Sequence, residues 1–391
     1  MTKKRSRGIK MKQKRALIIS DPNNIWTKYY IEGVLLPAGY QIVVFPIWGY
    51  NGKYSDYYAE NNVIIYEDKH TLPIIRHIPR VRMYARIAKN AKSLIKMGPF
   101  DVVHNHYLSV RDLALGEKVK KAFGAKWICS YWGSDLLRST KSTLLAQKKY
   151  LIKADAITVF NENNIEYIRT ILGDEVAKKT YLRAFGVFIC EEIDKVQKDM
   201  DKAQCKAHFG IGEKRFVVAI GYNASSAHCQ LEAVKTLSAL REDIKSKMTI
   251  VLQHTYGLND EEYVRNTYEC VDKLGIEKVV FKDFMSPRES AILRSAVDVF
   301  VHVITTDSNS ASLREYLYAG SVVIKGGWLP YPQLEKIGVT FNNIENFNEL
   351  PSQIESAFDK KILALNDRQR GNIKEAYDWS SIRLTWTEFF E

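Results

Sequence analysis

The chain alternates short, continuous apolar runs with stretches of helical spacing along almost all of its 391 residues. The predicted strands are residues 15–20, 41–47, 62–67, 101–106, 126–132 and 156–160 in the first half, and 215–223, 247–257, 278–284, 297–304 and 321–327 in the second. The predicted helices include 79–97, 108–123, 141–153, 227–240, 260–274, 287–296 and 309–319. Strands that are apolar throughout are typical of parallel sheets covered by helices on both faces. Because the series occurs twice, we predict an α/β fold of two Rossmann-like, doubly wound domains that face a cleft.

The pattern also predicts where the domains begin and end. The predicted segments are a basic, disordered tail (1–14), an N-terminal domain (15–188), a second domain (189–375) and a C-terminal helix (376–391). The last segment carries apolar and aromatic residues at helical spacing, so we expect it to dock on a domain surface. Whether it crosses back to the first domain is left open.

Charge and cysteine content limit the partners and the compartment. The net charge of +12 favours anionic partners. Much of it lies in the tail and in residues 74–97, which read as a basic amphipathic helix carrying Arg82, Arg86, Lys89, Lys92 and Lys96. That face is either simply solvated or a contact for an anionic membrane or ligand. No pattern indicates nucleic-acid binding.

The five cysteines are scattered without CxxC spacing, which predicts reduced thiols and neither a disulfide framework nor a metal site. No window approaches the roughly 18 apolar residues of a membrane-spanning helix. The basic N-terminus lacks the apolar core of a secretory signal. We therefore expect a cytoplasmic protein, soluble or peripheral on the inner face of the membrane.

One polar loop follows a predicted strand and opens a helix, in the sequence TTDSNSASLREYLYAG (305–320). Ligands of doubly wound folds bind at the carboxyl ends of the strands. Ser308, Asn309 and Ser310 stand where backbone N–H groups at a helix start favour an anion such as a diphosphate. Glu315 can accept bonds from the hydroxyls of a ribose, and Asp307 from a second sugar. A capped structural helix with two solvated acids is the alternative.

The chain also resembles a known family. The spacing Asp307-x7-Glu315, followed by YLYAGSVVI, resembles the E-x7-E signature of family 4 glycosyltransferases of the GT-B fold. In the first half, FDVVHNHY, CSYWGSDLL, ADAITVFNENN and AFGVF resemble further elements of that family in the same order. The resemblance implies an N-terminal acceptor domain and a C-terminal domain for a nucleotide-sugar donor.

The second half departs from that pattern. Asp307 stands where the family usually has Glu, and IGYNASSAHCQLEA lacks the basic pair that binds the diphosphate of the donor. This stretch, with HTYGLNDEEYV, instead resembles transferases of 4-acetamido-4,6-dideoxygalactose (fucosamine). Family 4 implies retention of anomeric configuration, whereas the second resemblance implies inversion.

Other residues are candidates for the missing donor contacts. Asn223, Ser225 and Ser226 precede a helix expected from about Ala227, which would form a second anion seat. The remaining candidates are Lys282 and Arg314 as positive charges, His228 as a ligand of sugar or phosphate, and Tyr256 with Gly257 beside the base. A surface or capping role is the alternative for each of them.

In the first half, Gly133 permits a tight turn, and Ser134 and Asp135 are candidates on the acceptor side. Asp135 can instead cap the next helix. Of His104 and His106, we expect at most one to face the site. We favour His106, nearer the strand end, as a catalytic candidate together with Asp307 and Glu315, with a structural histidine as the alternative for His106.

Together these features predict a glycosyltransferase that moves a sugar from a nucleotide-sugar donor to a hydroxyl of a saccharide acceptor. The resemblance points to bacterial surface polysaccharide or glycolipid synthesis, with a polyprenyl-linked acceptor. No metal and no cofactor are expected. Two alternatives remain: a nucleotide-sugar epimerase of the same fold, and a non-catalytic protein that binds nucleotide-sugars or polyanions.

Overall fold

A computed structural model describes residues 13–67, 79–186 and 189–390. The chain divides into two compact units. Unit 1 contains the residues up to Val159, Ile165–Phe185 and the residues from Ile382 onward, and unit 2 contains Phe160–Asn164 and Gly186–Ser381. The main boundary thus lies at 185/186 rather than at the predicted 188/189. The last segment changes unit at 381/382 rather than at 375/376. The predicted disordered tail lies outside the described residues as far as residue 12.

Among the described residues, seven strands form the sheet of unit 1. They are β1 (Arg15–Ser20), β2 (Gln41–Pro46), β3 (Ile64–Ile65), β4 (Val102–His106), β5 (Lys126–Ser130), β6 (Ala156–Val159) and β7 (Thr180–Leu182). They are parallel and run in the order β3-β2-β1-β4-β5-β6-β7. In the register, Ala16 lies between Ile42 and Val102.

The helices of this half are α1 (Ile25–Tyr30, continued by a π-helix over Ile31–Leu35), α2 (Ser55–Glu60), α3 (Pro79–Met97), α4 (Val110–Phe123), α5 (Ser134–Leu137), α6 (Lys141–Leu151), α7 (Glu162–Leu172) and α8 (Asp174–Ala177). Strands β1, β2 and β4–β6 and helices α3, α4, α6 and α7 contribute apolar residues to one core. Leu17, Val103 and Trp127 are fully buried there. The continuous apolar strands are therefore buried, as their composition predicts.

Unit 2 contains the second sheet, which has six strands within the described residues. They are β8 (Phe216–Ile220), β9 (Met248–Gln253), β10 (Glu277–Phe281), β11 (Val299–His302), β12 (Val322–Gly326) and β13 (Asn342–Ile344). Their order is β10-β9-β8-β11-β12-β13, again parallel.

The helices of this half are α9 (Ile189–Asp199), α10 (Lys202–His208), α11 (Gln230–Thr236), α12 (Glu242–Lys245), α13 (Glu261–Lys273), α14 (Pro287–Ala296), α15 (Ala311–Ala319), α16 (Pro332–Glu335), α17 (Leu350–Phe358), α18 (Asp367–Tyr377) and α19 (Trp379–Thr387). Three short 3₁₀ turns cover Ser226–His228, Leu237–Ala239 and Phe347–Glu349. The helix predicted for 376–391 corresponds to α19, which begins only at Trp379 because α18 ends at Tyr377 and Asp378 is extended (φ −63°, ψ 139°).

The prediction of two doubly wound parallel sheets is confirmed. The prediction misses the short strands β7 and β13, and β3 is two residues long rather than six. In both sheets the order reverses beside the first strand, so the switch points lie between β1 and β4 and between β8 and β11. Ligands of such sheets bind outside the carboxyl ends of the strands at these points. In the part of the chain that the structure describes, no helix combines the length and apolarity needed to cross a bilayer.

Candidate functional site

Asp307 lies in the loop after β11, beside the switch point of the second sheet. Its Oδ1 accepts bonds from the amides of Ser308 (2.6 Å) and Asn309 (3.3 Å). Its Oδ2 lies 3.2 Å from His302 Nε2 and accepts a bond from the Tyr331 hydroxyl at 3.0 Å. Burial alone would raise the pKa of Asp307, but His302, the Ser308 amide and the Tyr331 hydroxyl hold that pKa below its usual value. The carboxylate is therefore charged and surrounded by donors.

Glu315 lies on the second turn of α15 and forms an ion pair with Arg294 of α14. The carboxylate oxygen Oε2 is 3.2 Å from Arg294 Nε and 3.1 Å from Nη2. Arg294 Nη1 also donates to Gln253 Oε1 (3.0 Å) and to the Tyr316 hydroxyl (3.2 Å). The side chains of the pair are only 7% and 12% exposed. The network joins the end of β9 to α14 and α15 and fixes the orientation of the Glu315 carboxylate.

The turn before α15 retains unused hydrogen-bonding capacity. The Ser310 side chain accepts from Leu313 N and caps the helix, and Ser308 O accepts from Gln333 Nε2. Four buried polar atoms around this turn have no partner within the described chain: Ser308 Oγ, Asn309 Oδ1, His302 Nδ1 and Gln333 Oε1. Unpaired buried polar atoms are costly and infrequent in native proteins, so a group of them indicates a place where a ligand or ordered water binds.

Arg314 does not take the position expected for it. Its side chain is buried, its guanidinium lies 4.2 Å from the centre of the Tyr377 ring, and its Nε donates to Ser310 O. Burial lowers the pKa of Arg314 from its usual value. In this arrangement the guanidinium packs on an aromatic ring, and its role as a positive charge for a diphosphate stays a prediction. The side chain packs against α18, to which Tyr377 belongs.

The helix on which the predicted second anion seat at Ser225 and Ser226 depends does not begin at Ala227. The helix expected from Ala227 is a single 3₁₀ turn, and α11 begins only at Gln230, after Cys229 in a left-handed conformation (φ +51°). The amides of this turn are already used: Ser225 N donates to Asn223 Oδ1, and Ser226 N to Asn259 Oδ1.

The structure nevertheless brings several of these residues together. His228 is buried against Tyr222, with ring centres 4.3 Å apart, and Tyr222 stacks on His302 at 6.1 Å. The amide of Ala224 donates to Tyr256 O at 2.8 Å, which joins the loops after β8 and β9. His228 is therefore linked to Asp307 through the rings of Tyr222 and His302.

The loops after β9 and β10 expose an aromatic pair. Tyr256 (46% exposed) and Phe284 (66% exposed) stack with ring centres 5.8 Å apart and planes at 7°. Gly257 has φ +79°, and an added Cβ would lie 3.0 Å from Asn223 Oδ1, so a glycine is required there. Lys282, at the end of β10, is exposed. Burial, with Lys282 as a second cause, lowers the pKa of the neighbouring His254 to about 4.

In unit 1, His104 and His106 both lie at the carboxyl end of β4. Their rings are 4.2 Å apart, and His106 Nε2 is 3.3 Å from His104 Nδ1. The expectation that at most one of them faces the site is wrong, because residues two apart on a strand share a face. His104 also bonds to the Tyr30 hydroxyl (2.9 Å) and to Ser130 Oγ (2.6 Å). Both rings are fully buried, and burial lowers the pKa of His106 to about 3, so the ring is neutral.

Of the three acceptor-side candidates, Ser134 is partly accessible, whereas Gly133 and Asp135 have structural contacts. Gly133 has φ +100°, and its carbonyl accepts from the amides of Leu136 and Leu137 in the first turn of α5. Asp135 is buried and accepts from the amides of Leu108 and Trp132, both at 2.7 Å.

Burial raises the pKa of Asp135 to about 7, against the lowering effect of its backbone hydrogen bonds. The contacts of Asp135 are those of a structural residue, as the capping alternative expects, and an acceptor contact stays a prediction. Ser134 is partly exposed, and its hydroxyl donates to the Tyr107 hydroxyl at 3.4 Å.

Several residues of the site were not identifiable as functional from the sequence. These are Arg294, Gln253, His302 and Tyr331. A lone arginine in the apolar stretch AILRSAVDVF and a histidine that ends a predicted strand were the only signals. Within the described ranges, no group of three or more His, Cys, Asp and Glu side chains is arranged to hold a metal ion.

The two strand orders and the position of the polar cluster define the class of fold. Two parallel, doubly wound sheets in one chain, with 3-2-1-4 order at each switch point, form a GT-B fold. No family model matches the chain, and no curated protein matches it.

Solved structures do match over nearly the whole chain. HepE of Anabaena, in complex with UDP and glucose, is 14% identical, with a TM-score of 0.69 and coverage of 96% of this chain and 98% of that one. A glycosyltransferase of Rickettsia africae is 13% identical, with a TM-score of 0.72 and coverage of 97% and 98%. Sucrose-phosphate synthase of Thermosynechococcus elongatus is 15% identical, with a TM-score of 0.69 and the same coverage. At these identities the likeness establishes the fold and nothing more.

Proposed function

We propose that the protein is a glycosyltransferase that moves a sugar from a nucleotide-sugar donor to an acceptor hydroxyl. The observation that carries the proposal is the polar cluster at the switch point of the second sheet. There, buried atoms of Ser308, Asn309 and His302 lack partners within the described chain, next to two oriented carboxylates. A solved structure of the same fold holds UDP-glucose, which supports a uridine nucleotide as the first donor to test.

Glu315 would bind the ribose of the donor. Its Oε2 is held by Arg294, so the carboxylate has a fixed direction and its second oxygen can accept from ribose hydroxyls. The α15 helix begins at Ala311, and its N-terminal dipole favours the diphosphate. Because Asp307 already occupies the amides of Ser308 and Asn309, the diphosphate would lie at the next amides, those of Ala311 and Ser312.

Catalysis would come from positioning the donor and stabilising the departing nucleoside diphosphate. Asp307 would keep the turn rigid through its contacts with Tyr331 and His302, which are both fully buried. The E-x7-E resemblance favours retention of configuration, which an NMR spectrum of the first-formed product would report. No metal or cofactor enters this scheme.

The acceptor would be a saccharide bound at the outer loops of unit 1, because His106 itself is fully buried. The resemblance favours a polyprenyl-linked acceptor. The exposed face of α3 supports such an acceptor at a membrane. Its apolar strip comprises Val81, Tyr84, Ala88 and Ile95, all exposed, and Lys89, Lys92 and Lys96 form the adjoining basic strip. Such a face suits an anionic lipid surface. Arg86 is half-buried and does not belong to the basic strip, and residues 74–78 lie outside the described part.

A thermal-shift series with UDP-, GDP- and dTDP-sugars tests the donor assignment, because a ligand of the folded state raises the midpoint. Glu315→Gln should weaken the binding of the nucleotide-sugar by roughly 10- to 100-fold, since a hydrogen bond to a charged group contributes about 1.5–3 kcal/mol. Glu269→Gln, an exposed acid on α13, is the matched control. A response to heparin but to no nucleotide or nucleotide-sugar would refute the proposal.

One observation favours a second candidate, a nucleotide-sugar-binding protein without activity. Arg314 is buried against Tyr377 instead of lying at the diphosphate seat. Incubating the bound nucleotide-sugar with acceptors, and alone, separates the cases. A transferase forms a new glycoside, an epimerase changes the donor without an acceptor, and a binding protein leaves both unchanged.

A further inference from the structure

Three aromatic residues lie at the carboxyl edge of the first sheet, each one or two residues after the end of a strand. Trp48 follows β2, Tyr107 follows β4 and Trp132 follows β5. Trp48 is 61% exposed, and the other two are partly exposed. A large apolar side chain that remains in water at a ligand-binding edge indicates a contact surface for something outside the chain.

The three rings form one continuous surface. The Trp48 and Tyr107 rings meet at 70° with centres 5.0 Å apart, and the Tyr107 and Trp132 rings meet at 87° with centres 6.5 Å apart. Edge-to-face contacts of this kind hold the rings in place while most of the Trp48 indole remains accessible. We call Trp48, Tyr107 and Trp132 the aromatic platform.

Neighbouring loops hold the platform rigidly. Arg111 Nη2 donates to Ile47 O at 2.6 Å, immediately before Trp48. On the other side, Asn23 Nδ2 donates to Gly49 O at 3.0 Å, and Asn51 N donates to Asn23 Oδ1 at 3.1 Å. The loop that carries Trp48 is thus tied on both sides, which lowers the entropy lost on binding.

Tyr107 adopts a left-handed backbone conformation (φ +53°), which is uncommon for a bulky residue. Its amide donates to Ser130 O, and its hydroxyl accepts from Ser134 Oγ. A glycine or asparagine would take this conformation more easily. The backbone strain therefore places an aromatic side chain at a position where a simple turn would not require one.

We infer that the aromatic platform binds a pyranose ring of the acceptor by stacking of its C–H face on Trp48. This inference rests on the proposed function and identifies the acceptor as a carbohydrate at this position. Polar groups accompany the rings: Ser134 Oγ bonds to the Tyr107 hydroxyl, and Asn51 follows Trp48 in the same loop. This combination matches a sugar with its apolar face and peripheral hydroxyls. A lipid chain would require a continuous apolar groove instead.

Saturation-transfer difference NMR on the full chain, with disaccharides of glucose, galactose, mannose and N-acetylglucosamine as probes, tests the inference without a donor. Trp48→Ala should weaken the affinity for the disaccharide about tenfold or more, by analogy with other rings that stack on aromatic side chains. Trp48→Tyr should retain most of the binding, because it keeps an aromatic face.

Tyr181→Ala is the matched control, since Tyr181 is 42% exposed and also packs edge-to-face, against Phe389. Binding that survives in Trp48→Ala, or that falls equally in Tyr181→Ala, would overturn the inference. So would the absence of binding by every disaccharide. If nucleotide-sugars still shift the thermal midpoint in that case, the aromatic platform is refuted while the proposed function stands.

Discussion

Arg294 and Glu315 form a buried ion pair in which Nη2 lies 3.1 Å from Oε2. The pair joins α14 to α15 and gives the carboxylate of the proposed ribose contact a fixed direction. Opposite charges that are buried together depend on each other, because the loss of one leaves the other without a partner in a medium of low polarity.

Arg294→Met should therefore lower the free energy of unfolding by about 3–5 kcal/mol, the usual cost of an unpaired buried charge. Urea denaturation at neutral pH measures it. Arg288→Met, on the same helix, removes an exposed pair with Asp199 and should cost about 1 kcal/mol or less. The double variant Arg294→Met/Glu315→Leu should regain much of the loss. Equal effects of Arg294→Met and Arg288→Met would contradict this account.

Asp307→Asn should destabilise the protein at neutral pH by about 2 kcal/mol, since the charged acceptor of four donors is replaced by an amide. The folded-state pKa of Asp307 lies below its usual value. Its stabilising effect is thus present above the unfolded pKa of about 3.9 and is lost as the pH falls through the folded pKa.

Urea denaturation of both proteins at pH 7 and pH 3 measures this difference, which should shrink at the lower pH. Asp367→Asn, which changes a fully exposed carboxylate, is the control. A difference that is independent of pH would show that the charge of Asp307 does not stabilise the fold.

His106→Asn should flatten the loss of stability on acidification. The imidazole has a pKa of about 3 in the folded protein and about 6.5 in the unfolded chain, so only the unfolded chain takes up a proton near pH 5. Its contribution to the free energy of unfolding thus decreases as the pH falls below 6.5, by about 2 kcal/mol at pH 5. Denaturation midpoints between pH 5 and pH 8 measure the slope. His208→Asn, at an exposed site, controls for the removal of a histidine.

Replacing the basic strip of α3 by Lys89→Gln/Lys92→Gln/Lys96→Gln should weaken binding to phosphatidylglycerol vesicles about a hundredfold, at about 1 kcal/mol for each lysine. Vesicle co-sedimentation at constant salt measures the affinity. Lys195→Gln/Lys198→Gln/Lys235→Gln removes the same charge from exposed positions of α9 and α11. Two results would exclude a specific lipid-facing role for α3. One is an equal loss of vesicle affinity in the two triple variants, and the other is equally strong binding of the wild-type protein to neutral vesicles.

The two series of buried strands were predictable because a strand that is apolar at every position is buried on both faces, and because helical spacing separates one strand from the next. The short strands β7 and β13 were not, since three residues carry no period. Asp307 and Glu315 could be selected because they follow a strand at a distinctive spacing. Their partners Arg294, His302 and Tyr331 come from separate segments that only the folded chain brings together.

Local spacing also misled in recognisable ways. Arg314 is adjacent to Glu315 in sequence, but neighbouring helical positions point about 100° apart, and Arg314 is buried against Tyr377. The Ser225 turn has the composition of a helix cap, but the Ser225 amide bonds to Asn223 of the same loop and the Ser226 amide to Asn259 of the loop after β9. Sequence composition reveals capping residues and does not reveal whether the amides they precede remain available.

The return of the chain to unit 1 has a practical consequence for protein engineering. Trp386 lies edge-on to Tyr30 and stacked on Phe185, and its Nε1 donates to Ala184 O. Expressing residues 13–185 alone would strip this covering and leave Tyr30 and Phe185 in water. An expression plasmid for an isolated first half therefore needs the final helix grafted on by a linker.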